Sequence, residues 1–590
     1  MDPGDALRRL FGFEHFRPGQ AEAVMAALAD RDALVVMPTG SGKSLCYQLP
    51  ALMRDDLTLV VSPLVSLMQD QVSAVRAVAP GRVELVNSQR AGAANFEALS
   101  RVAEGEVRLL YVAPERFASP RFAEAIARTR VGLFVVDEAH CISQWGHDFR
   151  PDYFFLADAA RRVGARATIG LTATATPAVA DDIARRLALR DPVRVRTGFD
   201  RPNLSFAVVR CGTGVDKRRR LAAALGEPGA LPAIVYAGTR RASEELAGFL
   251  RRALGEEVLV YHAGLPREVR AATQQRFMSG EAPVIVATNA FGMGIDKADV
   301  RTVCHATVPG SLEAYYQEAG RAGRDGALAR CLLFAEQRDK GLHVFFIQRS
   351  RLDAGVFERV AERLRWAGLD GRYDVAVDSL AAEVGSGGDA ETVRAVIGHL
   401  TRAGLVAPLP APPDRAAGAV LGEWDRRALV ACLGSARDAE RARWSQYRSV
   451  WAYVDGTSCR RAALLAYFGD RSNGAPSVAC CDACSPSAAP TPPVARAAAT
   501  ENGSIGGGDL DAAILDVVVS AAPPVGRTRA VEILRGGRSK VIVQHAYDRL
   551  AAYGAFAHLR SSEVLGRVDQ LLQDGKLRST GGKFPKLRVA

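Results

Sequence analysis

An apolar run that ends in two carboxylates constrains the fold more than any other stretch of this chain. Residues 133–136 are apolar throughout, and residues 137–140 read Asp-Glu-Ala-His. Continuous apolar runs are typical of strands that are buried on both faces of a parallel sheet. Because ligands of open α/β sheets bind beyond the carboxyl ends of their strands, the pattern predicts two acids in a binding cleft.

Aromatic and basic side chains follow these acids directly. Trp145, His147, Phe149 and Arg150 lie in one short segment, interspersed with glycine and aspartate. Rings can stack on bases and a guanidinium can bind phosphate, so the segment is a candidate nucleic-acid site. The alternative is that the rings pack in a core, which the polar residues among them disfavour. We expect this region to join nucleotide chemistry to nucleic-acid binding.

A glycine loop lies further upstream, between a predicted strand at residues 33–37 and a helix. Its glycines would let backbone N–H groups approach phosphates, and the helix N-terminus adds a favourable dipole. Lys43 is expected to reach the β/γ phosphates and Ser44 to bind Mg²⁺. Met37 stands where the strict phosphate-loop pattern has glycine, so the loop resembles the variant of this motif that helicases carry. The candidate nucleotide ligands are Thr39, Gly40, Ser41, Gly42, Lys43 and Ser44.

The two acids can be given separate roles. Asp137 would hold Mg²⁺ through water, whereas Glu138 would orient and deprotonate an attacking water. Adjacent acids at a strand end are often no more than a loop cap. The glycine loop upstream favours the catalytic interpretation.

Strands and helices alternate through the first 340 or so residues, which predicts two doubly wound, mostly parallel sheets. The second half shows no second glycine loop, so it is expected to assist a nucleotide bound by the first. Arg321 and Arg324, close to Gln317 and beside glycines, could aim guanidinium groups at a γ-phosphate as arginine fingers do. A surface arginine turn is the alternative. The predicted strands are residues 57–61, 107–112 and 168–172, then 233–236, 258–261, 284–287 and 300–304.

Composition bounds the class of protein. A chain of 590 residues is too long for one core, and 48% hydrophobic content predicts globular domains. The formal charge of +11 favours polyanionic partners, although solvated arginines would explain it equally well. No apolar run is long enough for a membrane span, and no signal pattern opens the chain, so we expect a cytoplasmic protein without a membrane partner.

Ten cysteines are present, and four of them group together. The other six are scattered singly in apolar or helical contexts. Without a secretion signal, this distribution indicates a reducing compartment and one metal site rather than a disulfide framework. The grouped residues are Cys459, Cys480, Cys481 and Cys484.

The remainder of the chain reads as smaller helical modules. Helices predicted at 356–367, 379–384 and 390–403 precede a short extended run, which indicates either a winged-helix-like module for DNA binding or spacing, or a bundle that braces the α/β domains. A long helix is predicted at 425–454, and residues 486–508 form a flexible linker.

Residues 509–590 are predicted to form a winged helix. Its helices are expected at 512–519, 529–535, 540–553 and 562–574, followed by a hairpin of residues 576–580 and 584–589. Lys583 and Phe584 at the hairpin tip could grip phosphate and wedge a base pair. An ordinary hairpin with one exposed aromatic is the alternative.

Together these motifs resemble the RecQ family of superfamily-2 DNA helicases, over residues 11–334 and again from about Trp444. Phe13, Arg17 and Gln20 fit the family's adenine-recognising opening, and residues 38–44 fit its phosphate loop. Generic DEAH RNA helicases lack the loop at 141–150, so DNA is favoured over RNA. The further matches are residues 62–71, 137–152, 171–176, 261–264, 290–295 and 317–326.

The resemblance implies a 3′→5′ helicase that uses ATP, Mg²⁺ and structural Zn²⁺ on single-stranded and forked DNA in repair, recombination or replication, near the nucleoid. A single-strand-binding protein is a possible partner. DNA at Trp145, Phe149 and Arg150 is expected to make Glu138 productive. The predicted domains are two RecA-like domains (1–198, 199–345), an inserted module without a counterpart in the usual family layout (346–424), a zinc-binding subdomain (425–485), the linker (486–508) and the winged helix (509–590).

Two other functions stay open. One is a translocase that separates strands poorly. The other is a winged-helix regulator with a vestigial ATPase, against which the complete set of nucleotide-site residues argues.

The zinc ligands follow the family pattern with one departure. Cys459, Cys481 and Cys484 match, whereas Val478 stands where a cysteine is expected. Either Cys480 replaces it or the site has three thiolates and another ligand. Structural zinc takes four ligands, which favours Cys480. Unliganded buried thiols remain the alternative.

Overall fold

The computed structural model describes residues 2–63, 65–87, 90–143, 153–292, 297–366, 370–384, 389–412, 414–472, 476–490, 507–537, 539–557, 559–580 and 585–590. Contacts divide the chain into two units, Met1–Pro493 and Val494–Ala590. Within the described ranges, every helix is too short or too polar to cross a lipid bilayer.

The first lobe is built on a parallel sheet with the order β3-β4-β2-β5-β6-β1-β7. Strand β5 is buried along its whole length, as its apolar sequence predicts. Because β6 alone separates β5 from β1, the segments that follow these two strands meet at one edge. The strands are β1 (Ala33–Val36), β2 (Leu57–Val61), β3 (Val83–Val86), β4 (Leu109–Val112), β5 (Val131–Val136), β6 (Ala167–Thr172) and β7 (Val193–Arg196).

Helices cover both faces of this sheet. The short 3₁₀ turn Ala139–Ile142 directly follows the predicted acids. The helices are α1 (Pro3–Phe11), α2 (Gln20–Leu28), α3 (Leu45–Met53), α4 (Val65–Val78), α5 (Gly92–Ala103), α6 (Pro120–Ala127), α7 (Leu156–Arg162) and α8 (Pro177–Arg186).

The second lobe repeats the design with the strand order β10-β11-β9-β12-β13-β8, again in parallel. The expectation of two doubly wound parallel sheets is therefore confirmed. The strands are β8 (Leu204–Cys211), β9 (Ala233–Tyr236), β10 (Val258–Tyr261), β11 (Val284–Ala287), β12 (Thr302–His305) and β13 (Ala329–Glu336). The helices are α9 (Gly214–Leu225), α10 (Arg240–Leu254), α11 (Arg267–Met278), α12 (Leu312–Ala319) and α13 (Gln337–Arg349).

The inserted module has the helix–strand–helix–helix–hairpin order of a winged helix. Its antiparallel sheet has the order β14-β16-β15, and sequence reasoning missed β14. Helix α16 is buried over most of its last two turns, and His399 is only 4% exposed. The elements are α14 (Ala354–Trp366), β14 (Arg372–Ala376), α15 (Val377–Val384), α16 (Ala390–Arg402), β15 (Val406–Leu409) and β16 (Arg415–Val420).

Helix α17 (Arg426–Asp455) is shared between two hydrophobic cores. Near its start, Cys432 is buried in the core of the inserted module. Near its end, Val450 and Trp451 are buried in the core of the second lobe. The Asp425 side chain caps the helix by accepting from the Ala428 N–H at 2.7 Å.

Helix α18 (Arg460–Tyr467) carries the chain to the junction of the lobes. Phe468 stacks on Phe199 with ring centroids 4.7 Å apart and planes at 9°, and it lies 4.9 Å from the Tyr316 ring. The Phe199 N–H donates to Asp470 at 2.6 Å, and Arg196 donates to the Phe468 carbonyl. These contacts fasten the cysteine-bearing subdomain to the segment that joins the lobes.

The second unit has its own core and a winged-helix element order. The predicted helix at 540–553 is wrong beyond Gln544, because Ala546 adopts a left-handed φ of 53° and Tyr547 is buried with its hydroxyl donating to the Pro523 carbonyl at 2.6 Å. The predicted hairpin is present, but Lys583 and Phe584 at its tip lie outside the described residues. The elements are α19 (Gly507–Ser520), α20 (Arg527–Leu534), α21 (Lys540–Gln544), α22 (Ser561–Gln573), β17 (Leu577–Ser579) and β18 (Leu587–Val589).

Phe468→Ala is expected to destabilise the Met1–Pro493 unit by about 3–5 kcal/mol, because it leaves a cavity between Phe199 and Tyr316. Urea denaturation measures this loss. Phe345→Ala is the matched control: its ring is 53% exposed, so its effect should stay within about 0.5 kcal/mol. Equal effects of the two substitutions would contradict the packing described.

Candidate nucleotide site and zinc-binding cluster

The glycine loop between β1 and α3 has a backbone that only glycine adopts readily. Gly40 and Gly42 have φ values of 82° and 81°. A Cβ on Gly42 would lie 2.6 Å from Nε2 of Gln20, so a side chain there would also clash. The Ser41 hydroxyl donates to the Pro38 carbonyl at 2.7 Å and closes the loop. The loop has the glycine-dependent backbone that a phosphate cradle requires.

Lys43 faces the acids at the end of β5. Burial lowers the pKa of Lys43, Glu138 and Asp137 oppose that shift, and Arg324 adds to it. The Lys43 ammonium also lies 3.5 Å from the Pro38 carbonyl. A glycine cradle, a desolvated cation and two acids form a donor set that fits a nucleotide with Mg²⁺, for which Ser44 and Asp137 are the candidate metal ligands.

Asp137 and Glu138 differ in their surroundings. Burial, and after it the charge of Glu138, raises the pKa of Asp137 to about 7. The Glu138 N–H donates to Asp137 Oδ1 at 3.0 Å, and the Tyr153 hydroxyl donates to the Asp137 carbonyl at 3.2 Å. Glu138 itself has a left-handed φ of 48°, a strained conformation for a residue with a side chain.

His140 ties the acids to the end of β6 and was not among the predicted site residues. Its Nδ1 lies 2.9 Å from the Thr172 hydroxyl and 3.3 Å from a Glu138 carboxylate oxygen. Burial alone would lower the pKa of His140, but Cys141 and Glu138 outweigh burial and raise it. A protonated imidazole here would orient the Glu138 carboxylate.

The predicted adenine residues contact the glycine loop. Arg17 donates to the Gly40 carbonyl at 2.8 Å, and the Gln20 amide donates to the Ser41 and Gly42 carbonyls at 3.1 and 3.0 Å. Phe13, which precedes both residues in the sequence, is 51% exposed. Both polar side chains therefore support the loop through its carbonyls.

The second lobe approaches the glycine loop through the segment after α12. A Cβ on Gly320 would lie 3.5 Å from Thr39, and the Arg324 Cγ lies 3.8 Å from a Cβ on Gly40. Arg321, by contrast, is 4% exposed inside the second lobe, and Gln317 is half-buried on α12. The structure thus places Arg324 beside the glycine loop, whereas Arg321 is almost fully buried and lies close to Gly292.

Sequence reasoning missed Arg201, which bridges the lobes at this point. Its guanidinium donates to the Thr39 carbonyl of the glycine loop and to the Gly320 carbonyl of the second lobe, both at 3.2 Å. A lone Asp-Arg-Pro-Asn turn carries no signal for such a long-range contact.

The four grouped cysteines come together after α17. Their sulfur atoms all lie within 4.8 Å of one another, with Cys459 Sγ 3.5 Å from Cys480 Sγ and 3.9 Å from Cys481 Sγ. Tetrahedral zinc with sulfur ligands at about 2.3 Å requires sulfurs about 3.8 Å apart. The cluster therefore fits zinc, and Cys480 occupies the place that Val478 leaves vacant.

The cysteine loop is anchored to the second lobe. The Phe206 N–H of β8 donates to the Cys480 carbonyl at 3.2 Å, and the Asp482 N–H donates back to Phe206 at 3.1 Å. Arg460 forms a two-pronged ion pair with Asp482, at 3.0 Å for each bond. These contacts preorganise the loop that carries three of the four thiols.

The aromatic segment with Trp145, His147, Phe149 and Arg150 lies outside the described residues. Its two flanks are described. Ser143 donates to the buried Asp182 carboxylate at 2.8 Å. On the other side, the guanidinium carbons of Arg186 and Arg402 lie 5.2 and 5.5 Å from the centroid of the Phe154 ring. The inserted module, through Arg402, therefore contacts the first lobe beside this segment.

Models of four protein families match the chain. Residues 17–183 match a model described as DEAD/DEAH box helicase, and residues 216–326 match the helicase conserved C-terminal domain. Residues 425–485 match RecQ zinc-binding, and residues 509–590 match the RQC domain.

Individual proteins are similar over the same regions. The ATP-dependent DNA helicase RecQ of Bacillus subtilis is 31% identical over 588 residues, which cover 99% of this chain and 81% of that protein. The Haemophilus influenzae protein of the same name is 42% identical over 334 residues, 56% of this chain and 53% of the relative. A crystal structure of the DUF1998 helicase MrfA bound to DNA and AMPPNP is similar in fold, with a TM-score of 0.50, 17% identity and coverage of 72% of this chain and 62% of that one.

Asp137→Asn is expected to stabilise the metal-free, nucleotide-free protein while abolishing ATP hydrolysis. The folded-state pKa of Asp137 is raised from 3.8 to about 7, so ionisation costs stability progressively as pH rises from 3.8 to about 7 and fully above it. The variant should therefore melt roughly 2–4 °C higher at pH 8, with a smaller gain at pH 5.

The matched control for this substitution is Asp56→Asn. It breaks the buried ion pair of Arg54 and Asp56, whose closest atoms are 2.8 Å apart, so it should lower the melting temperature. A melting temperature of Asp137→Asn below that of the unaltered protein at pH 8 would contradict the assignment.

Cys480→Ser is expected to lose most of the bound zinc, because three thiolates cannot complete a tetrahedral structural site. Zinc per chain, measured by native mass spectrometry with and without a chelator, tests this. Cys211→Ser removes a buried thiol outside the cluster and should keep its zinc. Full zinc retention in Cys480→Ser would show that another ligand completes the site.

Proposed function

Because the chain belongs to the RecQ family of ATP-dependent DNA helicases, we propose that ATP hydrolysis between its two lobes drives it 3′→5′ along single-stranded DNA. The approach of Arg324 to the glycine loop carries this proposal. It supports a composite site in which one lobe binds the nucleotide and the other completes the catalytic set.

The nucleotide-site residues divide the work of hydrolysis. Lys43 binds the β- and γ-phosphates, and Glu138 orients the attacking water and accepts its proton. Mg²⁺, held by Ser44 and Asp137, neutralises phosphate charge when bound. His140 restrains the Glu138 carboxylate, which keeps the base aimed as the water attacks.

Arg324 supplies positive charge where negative charge develops on the γ-phosphate. An arginine that acts this way in other phosphoryl-transfer enzymes contributes about 10³–10⁵ in rate. Arg321 and Gln317 lie on the same segment and join the site when the lobes close on nucleotide. Phe13, Arg17 and Gln20 read the adenine and connect it to the glycine loop.

DNA contacts are proposed from the sequence pattern. Trp145 and Phe149 stack on bases, whereas His147 and Arg150 contact phosphates, so that DNA binding makes Glu138 productive. Lys583 and Phe584 at the wing tip act at the duplex junction of a fork. Zinc at the cysteine cluster is structural. The protein works on DNA of the nucleoid, where a single-strand-binding protein is a candidate partner.

Translocation without efficient strand separation is the second candidate function. It shares the ATP site and the direction of movement. It differs only in whether the wing opens the duplex, so unwinding and translocation have to be measured separately.

A duplex with a 3′ single-stranded tail should be unwound at least about tenfold faster than the same duplex with a 5′ tail, because a 3′→5′ motor must load on the 3′ strand. Fluorescence-based strand separation with each substrate measures the ratio. Lys43→Ala is the control, since it should lose ATP hydrolysis and unwinding while still binding the tail.

Preference for the 5′ tail would overturn the proposed direction. ATP-driven displacement of a protein block from single-stranded DNA, without unwinding of either substrate, would favour the translocase.

A further inference from the structure

Arg201 lies in the segment that joins β7 of the first lobe to β8 of the second. Its guanidinium donates to four main-chain carbonyls, and one of them belongs to the glycine loop. The acceptors are the carbonyls of Thr39 at 3.2 Å, Gly320 at 3.2 Å, Ala322 at 3.1 Å and Gly323 at 2.9 Å.

The acceptors explain why an arginine is needed. A guanidinium offers five N–H donors in one rigid plane, so a single side chain can hold several carbonyls in a fixed arrangement. Three of these carbonyls belong to residues 320–323, which directly precede Arg324. The fourth belongs to the loop that cradles phosphate. The contact therefore fixes the start of the Arg324 segment relative to the phosphate site.

The main chain of Arg201 is itself held by the cysteine-bearing subdomain. Arg461 donates to the Arg201 carbonyl at 2.9 Å and also binds the Asp200 carboxylate and the Leu204 carbonyl. Arg461 is 3% exposed and follows Cys459 by two residues. An uninterrupted set of contacts thus runs from the thiol cluster through Arg461 and Arg201 to the glycine loop.

We propose that Arg201 is a positioning residue, which sets Arg324 against the phosphate loop, and that Arg461 holds Arg201 in place for this task. The proposal rests on the function proposed above for Arg324. Among the described residues, the hydrogen bonds of the Arg201 guanidinium go to main-chain carbonyls in both lobes, an arrangement that suits placement of the Arg324 segment.

This role predicts different effects on nucleotide affinity and on kcat. The nucleotide is bound mainly by the first lobe, through Lys43 and the glycine loop, so its affinity should survive the loss of Arg201. Charge stabilisation by Arg324 is needed only in the transition state, so kcat should fall. A residue that merely supported the fold would instead lower the amount of active protein and its melting temperature.

The test compares Arg201→Gln, Arg324→Ala and the double variant, in the full-length zinc-loaded protein with saturating single-stranded DNA. Arg201→Gln should lower kcat by about tenfold or more while the Kd of a fluorescent ATP analogue changes by less than about twofold. Arg324→Ala should lower kcat further. In the Arg324→Ala background, Arg201→Gln should have no additional effect, because residues that act through one another are not additive.

Two further variants control for folding. Arg201→Lys keeps the charge and can reach some of the carbonyls, so it should recover part of the lost kcat. Arg330→Gln removes an arginine that donates to the Ala224 carbonyl at 3.0 Å and pairs with Glu227 inside the second lobe, so kcat should stay near that of the unaltered protein. Zinc content and melting temperature are measured for every variant.

Each outcome has one consequence. An unchanged kcat in Arg201→Gln, or an equal further fall in the Arg324→Ala background, would overturn the positioning role. The positioning role would also be overturned if the lower kcat of Arg201→Gln came with less bound zinc or a lower melting temperature, and if Arg201→Lys did not recover kcat. An unchanged kcat in Arg324→Ala would instead overturn the proposed function of Arg324.

Discussion

The meeting of the charges of Lys43, Asp137 and Glu138 at one edge of the first sheet is the interaction on which the nucleotide site depends. Ionised groups are costly to remove from water, and here two acids and one cation share a desolvated edge of the first sheet. Parallel strands β1 and β5 impose this arrangement because their carboxyl ends meet at that edge. The site is therefore poised to be stabilised by a ligand that supplies both phosphate charge and a divalent metal.

Contacts with the segment that joins the two lobes hold the second lobe near that edge. The structure does this through main-chain acceptors and aromatic stacking. Phe468 stacks on Phe199 in the segment that joins the lobes, and Arg461 donates to the Arg201 carbonyl of the same segment. The zinc-binding subdomain therefore holds the segment between the lobes in place, and Arg201 of this segment contacts the glycine loop.

Sequence patterns predicted what local chemistry encodes. Apolar runs marked strands such as β2, β9 and β11 at their observed bounds, and the glycine loop marked the phosphate cradle. Contacts between distant residues escaped prediction, since nothing around Arg201 encodes its acceptors in both lobes. The helix predicted at 540–553 failed because burial of Tyr547 overrides local helical preference. Cys480 was inferred by counting zinc ligands, and the geometry of the four sulfurs supports that inference.

Because α17 is shared between two cores, the inserted module cannot be removed without affecting a helix of the second lobe. The inserted module is continuous in sequence, yet part of its apolar surface comes from Leu429, Cys432 and Leu433 on a helix whose other end is buried in the second lobe. Excising the elements of the module, residues 354–420, would expose those side chains to water on a helix whose other end packs in the second lobe. Loss of the module would therefore carry the cost of an exposed apolar face on α17.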